Sequence, residues 1–229
     1  MRHTSHALML FAAGFGTRMR PLTDTQPKPL IPVAGRPLID HAMAFIDGAE
    51  ISKTVVNLHY RADQLAAHLQ GKPIETVTET PDILDTGGGL RNALPLLGDG
   101  PILTLNTDAV WAGPNPLALL QQAWDPARMD ALLICVPMAQ VHGRTNGDFD
   151  LGPDGHITRG QAAVYGGAQI IKTTGLHDIP DRAFSLNVLW NQMAAQNRLF
   201  GLPYPGQWCD VGHPAGIQVA EDMLAHAHV

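Results

Sequence analysis

A glycine-rich segment directly after the first apolar run of the chain carries several cations. In "FAAGFGTRMRPLT", residues 11–23, Gly14 and Gly16 are followed by Arg18, and Lys28 stands further along in "PKPL". Glycines allow backbone N–H groups to approach an anion closely, and arginine and lysine suit a ligand with several negative charges. The segment lacks the third glycine of a dinucleotide fingerprint and the Gly-Lys-Ser/Thr of a Walker loop. It therefore predicts a polyphosphate-binding loop of another kind, with a solvated surface loop as the alternative.

A carboxylate ends the apolar segment "LTLNTD". Asp108 follows the run directly, and Asn106, two residues earlier, shares its face of the predicted strand. Mg²⁺ typically takes one or two carboxylates and completes its coordination with phosphate oxygens and water. Asp108 is therefore a candidate magnesium ligand, or else a cap of the next segment. Asn106 is a candidate contact to a nucleotide or a sugar.

Two further segments each allow a binding and a structural interpretation. "TGGGLRNAL" is typical of a helix entered through glycines, whose free N–H groups would lie at the positive end of the helix dipole. The alternative is that these glycines pack the helix tightly on a sheet. In "NGDFDL", Asp148 would accept hydrogen bonds from sugar hydroxyl groups, or would be solvated at the edge of a hairpin.

The order of the elements predicts a fold that brings strand ends together. Strand-like runs alternate with helical spacing along the first two thirds of the chain, which favours an α/β fold in three layers. Its mostly parallel, Rossmann-like sheet would be flanked by helices on both faces and would bind ligands at the carboxyl ends of the strands. The predicted strands are "HALMLF", "KTVVNLH", "IETVTE", "PILTLNTD" and "DALLICVPM", and the predicted helices are "LIDHAMAFIDGA", "RADQLAAHL", "GGGLRNALPLL" and "NPLALLQQAW".

The last third of the chain changes character. "GDFDLGPDGHIT" has two short runs around a "PDG" turn and predicts a hairpin. A strand "AVYGGAQIIK", a helix "FSLNVLWNQMAAQN", an extended segment "LFGLPYPGQWCDVG" and a closing helix "PAGIQVAEDMLAHA" follow. We expect one continuous domain over residues 1–229, with a nucleotide-binding half to about residue 110 and a substrate-binding half from about residue 111.

Composition narrows the class of protein. The 229 residues are 45% hydrophobic and carry a net charge of −6, which is typical of a globular chain and disfavours a nucleic-acid binder. Cys135 and Cys209 form no C-x-x-C pair and are expected to be buried small side chains. No apolar run reaches the length that spans a membrane, so we expect a soluble, cytoplasmic protein without a membrane partner. Monomer and dimer both remain open.

The motifs, taken in order, resemble the signature of the sugar-1-phosphate nucleotidyltransferase family. The resemblance runs through "AAGFGTRMRPLT", "PKPLIPVAGRPLI", "DTGGGLRNAL", "LNTD", "GDF" and "WCDVGHP", and so covers nearly the whole chain. It implies the nucleotide-diphospho-sugar transferase fold with a small β-hairpin and helical sugar-binding region. It also implies a reaction in which a nucleoside triphosphate and a sugar 1-phosphate form a nucleotide sugar and pyrophosphate.

The resemblance also implies roles for individual residues. The two catalytic cations would be Arg18 and Lys28, and Asp210 of "WCDVG" would join Asp108 as a Mg²⁺ ligand. It implies no role for Arg20 or His213. The nucleotide-binding residues would be Ala13, Gly14, Gly16, Thr17, Arg18, Lys28, Gly88 and Asn106, and the sugar-binding residues would be Asn106, Gly147 and Asp148.

Within this family the motifs are most similar to those of members that join UTP to N-acetylmuramate 1-phosphate in cell-wall recycling. The chain departs from that pattern with "NTD" for "NGD" and "DTGGG" for "ETGGG". Mannose 1-phosphate with GTP, glucose 1-phosphate with dTTP or UTP, and more distantly phosphocholine with CTP are the alternative substrates. A catalytically inactive nucleotide-sugar-binding regulator is the alternative of another class. An NAD-dependent oxidoreductase is disfavoured by Met19 at the position of the third glycine and by the missing acidic residue in a βαβ context.

Overall fold

One large mixed sheet organises the chain. The computed structural model describes residues 5–98 and 100–227. The strands are β1 His6–Phe11, β2 Pro32–Val33, β3 Arg36–Pro37, β4 Ile51–Leu58, β5 Glu75–Thr78, β6 Ile102–Asn106, β7 Ala109–Ala112, β8 Ala131–Pro137, β9 Val141–His142, β10 Phe149–Leu151, β11 Ile157–Arg159, β12 Ala163–Ile171, β13 Leu199–Pro203 and β14 Gln207–Asp210. The helices are α1 Leu38–Met43, α2 Ala62–Leu69, α3 Asp85–Leu97, α4 Pro116–Ala123, α5 Asn187–Ala195 and α6 Ala215–Ala227.

The large sheet is parallel over its strands β6, β1, β4 and β5. Its strands run in the order β11–β10–β12–β6–β1–β4–β5, and β8 pairs with β12 on one side and β13 on the other. β1 is parallel to β4 and β6, and β4 is parallel to β5. β12 runs antiparallel to β6, β8 and β10. The predicted α/β fold with a mostly parallel sheet is confirmed, and β12 adds a reversal of direction that the alternating pattern did not predict.

Two hydrophobic cores lie on opposite faces of this sheet. Because successive strand residues point to opposite faces, Leu8 and Leu10 of β1 pack into the core that holds residues of α1, α2 and α4. Ala7 and Met9 pack into the other core, with residues of α3 and α5. The strands are therefore covered on both sides, which explains why they read as continuous apolar runs rather than as alternating ones. Cys135 and Cys209 are buried as expected.

A second, three-stranded sheet contains β7, β14 and β9 in that order. β14 is antiparallel to β7 and parallel to β9. The segment expected only to be extended thus forms two strands, β13 in the large sheet and β14 in the small one. The small sheet joins three segments that are distant along the chain, so no local pattern indicates it. It matters for function because Asp108 precedes β7 and Asp210 ends β14.

Other predicted elements occur with shifted bounds. α1 ends at Met43, and the chain continues through tighter turns in which Phe45 N–H donates to Ala42 O and Ile46 N–H to Met43 O. α3 begins at Asp85, two residues before its first glycine. The predicted hairpin is formed by β10 and β11. None of the helices among the described residues is long and apolar enough to cross a membrane.

Candidate active site

The glycine-rich loop leaves β1 at the carboxyl edge of the parallel strands. Its first amide is fixed, because Ala12 N–H donates to the Asn57 Oδ1 atom at 2.8 Å. Gly16 has φ 63°, and a Cβ atom there would lie 2.9 Å from side-chain atoms of Lys28 and Thr23. Only glycine fits this left-handed, crowded position. A Cβ atom on Gly14 would have no atom within 4 Å, so the space beside this residue is open to a ligand.

A cavity of about 230 Å³ opens beside this loop. One end holds Lys28 and Asp108, and the other holds the polar side chains of Asn57 and Glu79. Such a cleft, mostly apolar with a few polar groups, at the carboxyl ends of parallel strands is where α/β folds bind ligands. The residues that line it are Phe11, Ala12, Ala13, Gly14, Lys28, Pro29, Asn57, Glu79, Ile83, Asp85, Thr86, Asn106, Thr107 and Asp108.

Lys28 and Asp108 form an ion pair at the loop end of the cavity. The Lys28 Nζ atom donates to the Asp108 Oδ2 atom at 2.9 Å. Lys28 is only 8% exposed, whereas the Asp108 side chain is 39% exposed. A buried ammonium group needs a partner, and Asp108 provides it in this state. The pair places a cation at the cavity wall where a phosphate group can reach it.

The small sheet brings Asp210 next to Asp108. Asp210 pairs with Ala109 across β14 and β7, and Val211 N–H donates to the Asp108 carbonyl oxygen at 3.0 Å. Burial raises the pKa of Asp210 above its ordinary value, and the Asp108 carboxylate raises it further. Three surrounding cations, those of the side chains of Lys28, Arg18 and Arg144, act in the opposite direction.

The donor set fits a magnesium ion. Asp108 and Asp210 offer hard carboxylate oxygens, which Mg²⁺ prefers. The described part of the chain has no group of three or more metal-ligating side chains. Two carboxylates suit an ion that completes its coordination with substrate phosphates and water rather than a closed, permanently held metal. Burial first and the Asp108 carboxylate second raise the pKa of Asp210, and a divalent cation would relieve the repulsion between the two carboxylates.

Arg18, Arg20 and His213 take different positions relative to this pair. Arg18 is exposed and lies in the 3₁₀ turn Thr17–Met19. Its Nη1 atom lies 3.2 Å from where a Cβ atom on Gly212 would stand, just beyond Asp210. Arg20 lies on the surface beside Asp24, with 3.4 Å between the Nε and Oδ1 atoms. His213 is exposed, and its carbonyl oxygen accepts the Gly216 N–H at the start of α6.

The predicted sugar-binding residues have partners within the chain. Both oxygens of Asp148 accept from the Arg144 guanidinium, at 3.2 and 2.9 Å, and the Tyr165 N–H donates to the Oδ2 atom at 2.9 Å. Gly147 is buried, and its N–H donates to the Gln161 side-chain oxygen at 3.1 Å. A Cβ atom on Gly147 would lie 2.4 Å from the Gln161 carbonyl oxygen, so the glycine permits a close backbone approach.

Residues 8–215 match the MobA-like NTP transferase domain. The chain belongs to this family. It is 40% identical to N-acetylmuramate alpha-1-phosphate uridylyltransferase of Caulobacter vibrioides over 96% of this chain and 97% of that protein. It is 33% identical to the protein of the same name from Neisseria meningitidis serogroup B over 94% and 96%.

Solved structures give the same fold. A UDP-glucose pyrophosphorylase complexed with UDP-glucose superposes with a TM-score of 0.78 at 15% identity, over 97% of this chain and 99% of that one. At 15% sequence identity, this similarity shows only that the two chains share a fold. The predicted membership of the nucleotidyltransferases is confirmed by the family match and by the curated relatives. The division of the domain into a nucleotide half and a sugar half, and the roles of single residues, stay predictions.

The triple glycine of this NTP transferase domain has a packing role in the structure. Gly88 does not line the cavity, and its N–H donates to the Phe184 carbonyl oxygen at 3.1 Å. A Cβ atom on Gly87 would lie 2.3 Å from the Phe184 ring, one on Gly88 2.5 Å from the Arg182 carbonyl oxygen, and one on Gly89 2.6 Å from Glu79. The structure therefore does not bring Gly88 to the site as a free N–H donor, in contrast to the expectation for a nucleobase contact.

Sequence reasoning did not identify Asn57 and Glu79. Glu79 is 1% exposed and accepts from the Asn57 side-chain amide and from Leu84 N–H, both at 2.7 Å. Asn57 in turn holds the start of the glycine-rich loop through Ala12. Both residues lie at or just beyond the carboxyl end of a predicted parallel strand. The signal in the sequence is a polar residue at the carboxyl end of a parallel strand, where α/β folds bind ligands.

Proposed function

We propose that the chain transfers a uridylyl group from UTP to the phosphate of N-acetylmuramate α-1-phosphate, forming UDP-N-acetylmuramate and pyrophosphate. The proposal rests on the 40% identity to a protein of that activity, which extends over nearly the full length of both chains. The cavity supports it, because phosphate-binding elements stand at one end and buried polar side chains at the other. The proposal places the chain in cell-wall recycling.

The proposed reaction needs charge neutralisation rather than a general base. A phosphate oxygen of the sugar 1-phosphate is already an anionic nucleophile and attacks the α-phosphorus of UTP, and pyrophosphate leaves. Two polyanions must be held together, so the contribution of the protein is mostly positioning and electrostatic stabilisation. The open backbone at Gly14 and the cations of Arg18 and Lys28 would bind the triphosphate.

Mg²⁺ is the proposed cofactor, held by Asp108 and Asp210. When bound, it would supply positive charge to the phosphate oxygens of the substrates. Lys28 now pairs with Asp108. Lys28 would lose this partner when the Asp108 carboxylate holds the ion, and its ammonium group would then be free to donate to a phosphate.

The end of the cavity around Asn57 and Glu79 is the proposed place of the nucleobase. Since Asn57 bonds both Ala12 of the loop and Glu79 beyond β5, it fixes the two walls relative to each other. A base bound there would lie between rigid polar groups, and its ribose would extend toward Asn106 and the phosphates toward Lys28.

The test is pyrophosphate release with a panel of four nucleoside triphosphates and several sugar 1-phosphates. We expect the highest kcat/KM with UTP and N-acetylmuramate 1-phosphate. A preference for GTP with mannose 1-phosphate, or for UTP or dTTP with glucose 1-phosphate, would overturn the substrate assignment but keep the reaction class. Absence of release with every pair, together with tight binding of a nucleotide sugar, would favour an inactive binding protein.

A further inference from the structure

Arg144 is a cation of the site that the sequence motifs did not single out. It follows β9, whose residues Val141 and His142 pair with Trp208 and Cys209 of β14. The adjoining Gly143 has φ 78°, and a Cβ atom there would lie 2.6 Å from the Asp210 carbonyl oxygen. The small sheet therefore holds the backbone before Arg144 directly against Asp210.

The Arg144 guanidinium is held in place by Asp148. Its Nη1 and Nη2 atoms donate to the two carboxylate oxygens at 3.2 and 2.9 Å, which is the fork geometry that arginine favours. Asp148 is itself fixed, since it accepts the Tyr165 N–H and its own N–H donates to the Ala163 carbonyl oxygen. The orientation of the guanidinium is thus set by a carboxylate that β12 positions.

The guanidinium keeps donors for a ligand. It carries five N–H groups, and among the described residues Asp148 is the side chain or backbone group that accepts from them. The Arg144 side chain is 31% exposed. The residue before it adjoins Asp210, since a Cβ atom on Gly143 would lie 2.6 Å from the Asp210 carbonyl oxygen. A fixed, partly exposed guanidinium beside the carboxylate pair is suited to an anionic group of a substrate.

We propose that Arg144 binds an anionic group of the sugar substrate and that Asp148 acts as the positioning residue for Arg144 instead of binding sugar hydroxyl groups itself. The inference rests on the proposed function and specifies that the part of the site that binds the sugar 1-phosphate recognises an anion. The anionic group is a phosphate or a carboxylate, because N-acetylmuramate 1-phosphate carries both. The phosphate or the carboxylate would accept hydrogen bonds from the guanidinium N–H groups that do not donate to Asp148.

The first experiment compares Arg144→Gln, Arg144→Lys and Asp148→Asn in steady-state kinetics. We expect Arg144→Gln to raise the KM for the sugar 1-phosphate about 10- to 100-fold while the KM for UTP changes less than about threefold. Arg144→Lys should recover part of the loss, since it keeps the charge without the fork. Arg128→Gln is the matched control, because Arg128 lies over the Phe200 ring away from the site, and it should behave as the wild type.

A double-mutant cycle tests the role of Asp148. If Asp148 acts through Arg144, then Asp148→Asn raises the same KM in the wild-type background and has little further effect in the Arg144→Gln background. If Asp148→Asn raises the KM for the sugar 1-phosphate by the same factor in the Arg144→Gln background as in the wild type, the positioning role is overturned and a direct sugar contact is restored. An unchanged KM for the sugar 1-phosphate in Arg144→Gln, with an unchanged melting temperature, would overturn the proposal as a whole.

A second substrate identifies which anion is bound. N-acetylglucosamine 1-phosphate keeps the phosphate and lacks the carboxylate. If Arg144 binds the phosphate, Arg144→Gln impairs both substrates; if it binds the carboxylate, only N-acetylmuramate 1-phosphate is affected. Should the wild type prefer another sugar 1-phosphate, the proposed function fails, and the variants are then measured with the preferred substrate, so the two failures remain distinguishable.

Discussion

At the scale of single residues, the structure pairs groups that the sequence presents separately. Lys28 was predicted to contact phosphate and Asp108 to bind a metal, and in the structure the Lys28 Nζ atom lies 2.9 Å from the Asp108 Oδ2 atom. Asp148 was predicted as a sugar contact, and both of its oxygens are held by Arg144. Residue types and motif order indicate which groups take part. The pairing depends on which segments the fold brings together. It determines which hydrogen-bonding groups are already occupied before a substrate binds.

Lys28→Ala tests the charge at the triphosphate end of the cavity. We expect kcat to fall about 100-fold or more, since a preorganised cation next to the transferring phosphate is removed. The fold should persist, because Asp108 is partly exposed and can be hydrated. The assay is pyrophosphate release, with thermal unfolding as the check on folding. Lys53→Ala, which removes an exposed lysine paired with Glu75 near the amino ends of β4 and β5, is the control. Wild-type turnover of Lys28→Ala would contradict the assigned role.

At the scale of elements, the three glycines at the start of α3 pack the helix closely against another segment, whereas a binding role for their N–H groups was predicted. Three successive glycines indicated a helix N-terminus with free N–H groups. In the structure Gly87 and Gly88 both donate to the Phe184 carbonyl oxygen. The segment 182–184 is distant in sequence and occupies the space in front of the helix, so local pattern alone could not separate binding from packing.

Gly88→Ala separates these two roles. The added Cβ atom would meet the Arg182 carbonyl oxygen at 2.5 Å, and backbone must shift to admit it. We expect destabilisation by about 1–3 kcal/mol, which corresponds to a fall in melting temperature of roughly 2–12 °C for a chain of this size. Asn92→Ala, on the exposed side of the same helix, should leave stability nearly unchanged. A raised KM for UTP at unchanged stability would instead support the nucleobase contact.

At the scale of the whole molecule, the Asp130 carboxylate joins three strands of the large sheet, β8, β12 and β13. Asp130 precedes β8 and accepts from the Lys172 Nζ atom at 2.7 Å and the Arg198 Nε atom at 2.9 Å. It thereby ties together the start of β8, the end of β12 and the start of β13. Burial acts to raise the pKa of Asp130, but the hydrogen bonds and charges of Lys172 and Arg198 outweigh it, and the net pKa is lowered.

Asp130→Asn should therefore reduce stability in a pH-dependent way. A carboxyl group with a lowered pKa in the folded state stabilises the fold fully above its unfolded pKa of about 3.9, and this contribution is lost as the pH falls through the folded pKa. We expect a loss of about 1–2 kcal/mol at pH 7, and a difference from the wild type that shrinks below about pH 4. Urea unfolding at several pH values measures it. Asp47→Asn, an exposed carboxylate, is the control. A constant difference at all pH values would contradict the ionic origin.

Much of the fold was accessible from the sequence because its strands are apolar on both faces and are separated by helical spacing. β1, β4, β6 and β12 all lie within one or two residues of their predicted bounds. The small sheet was not accessible. β7 and β9 have four and two residues, and they gain their partners only from β14 near the other end of the chain. Short strands of this kind carry too few residues for periodicity to indicate them.

The sequence by itself determined the family, the order of strands and helices, and the glycine-rich loop with its cations, because each depends on neighbouring residues or on motifs in a fixed order. The family resemblance already implied that Asp210 joins Asp108, and the structure shows that the pairing of β14 with β7 brings them together. Only the tertiary structure decided that the Phe184 carbonyl oxygen accepts from the amides of Gly87 and Gly88 and that Asp148 holds Arg144. These are contacts between segments far apart in the chain. They follow from strand register and side-chain packing, which local propensity and spacing do not specify.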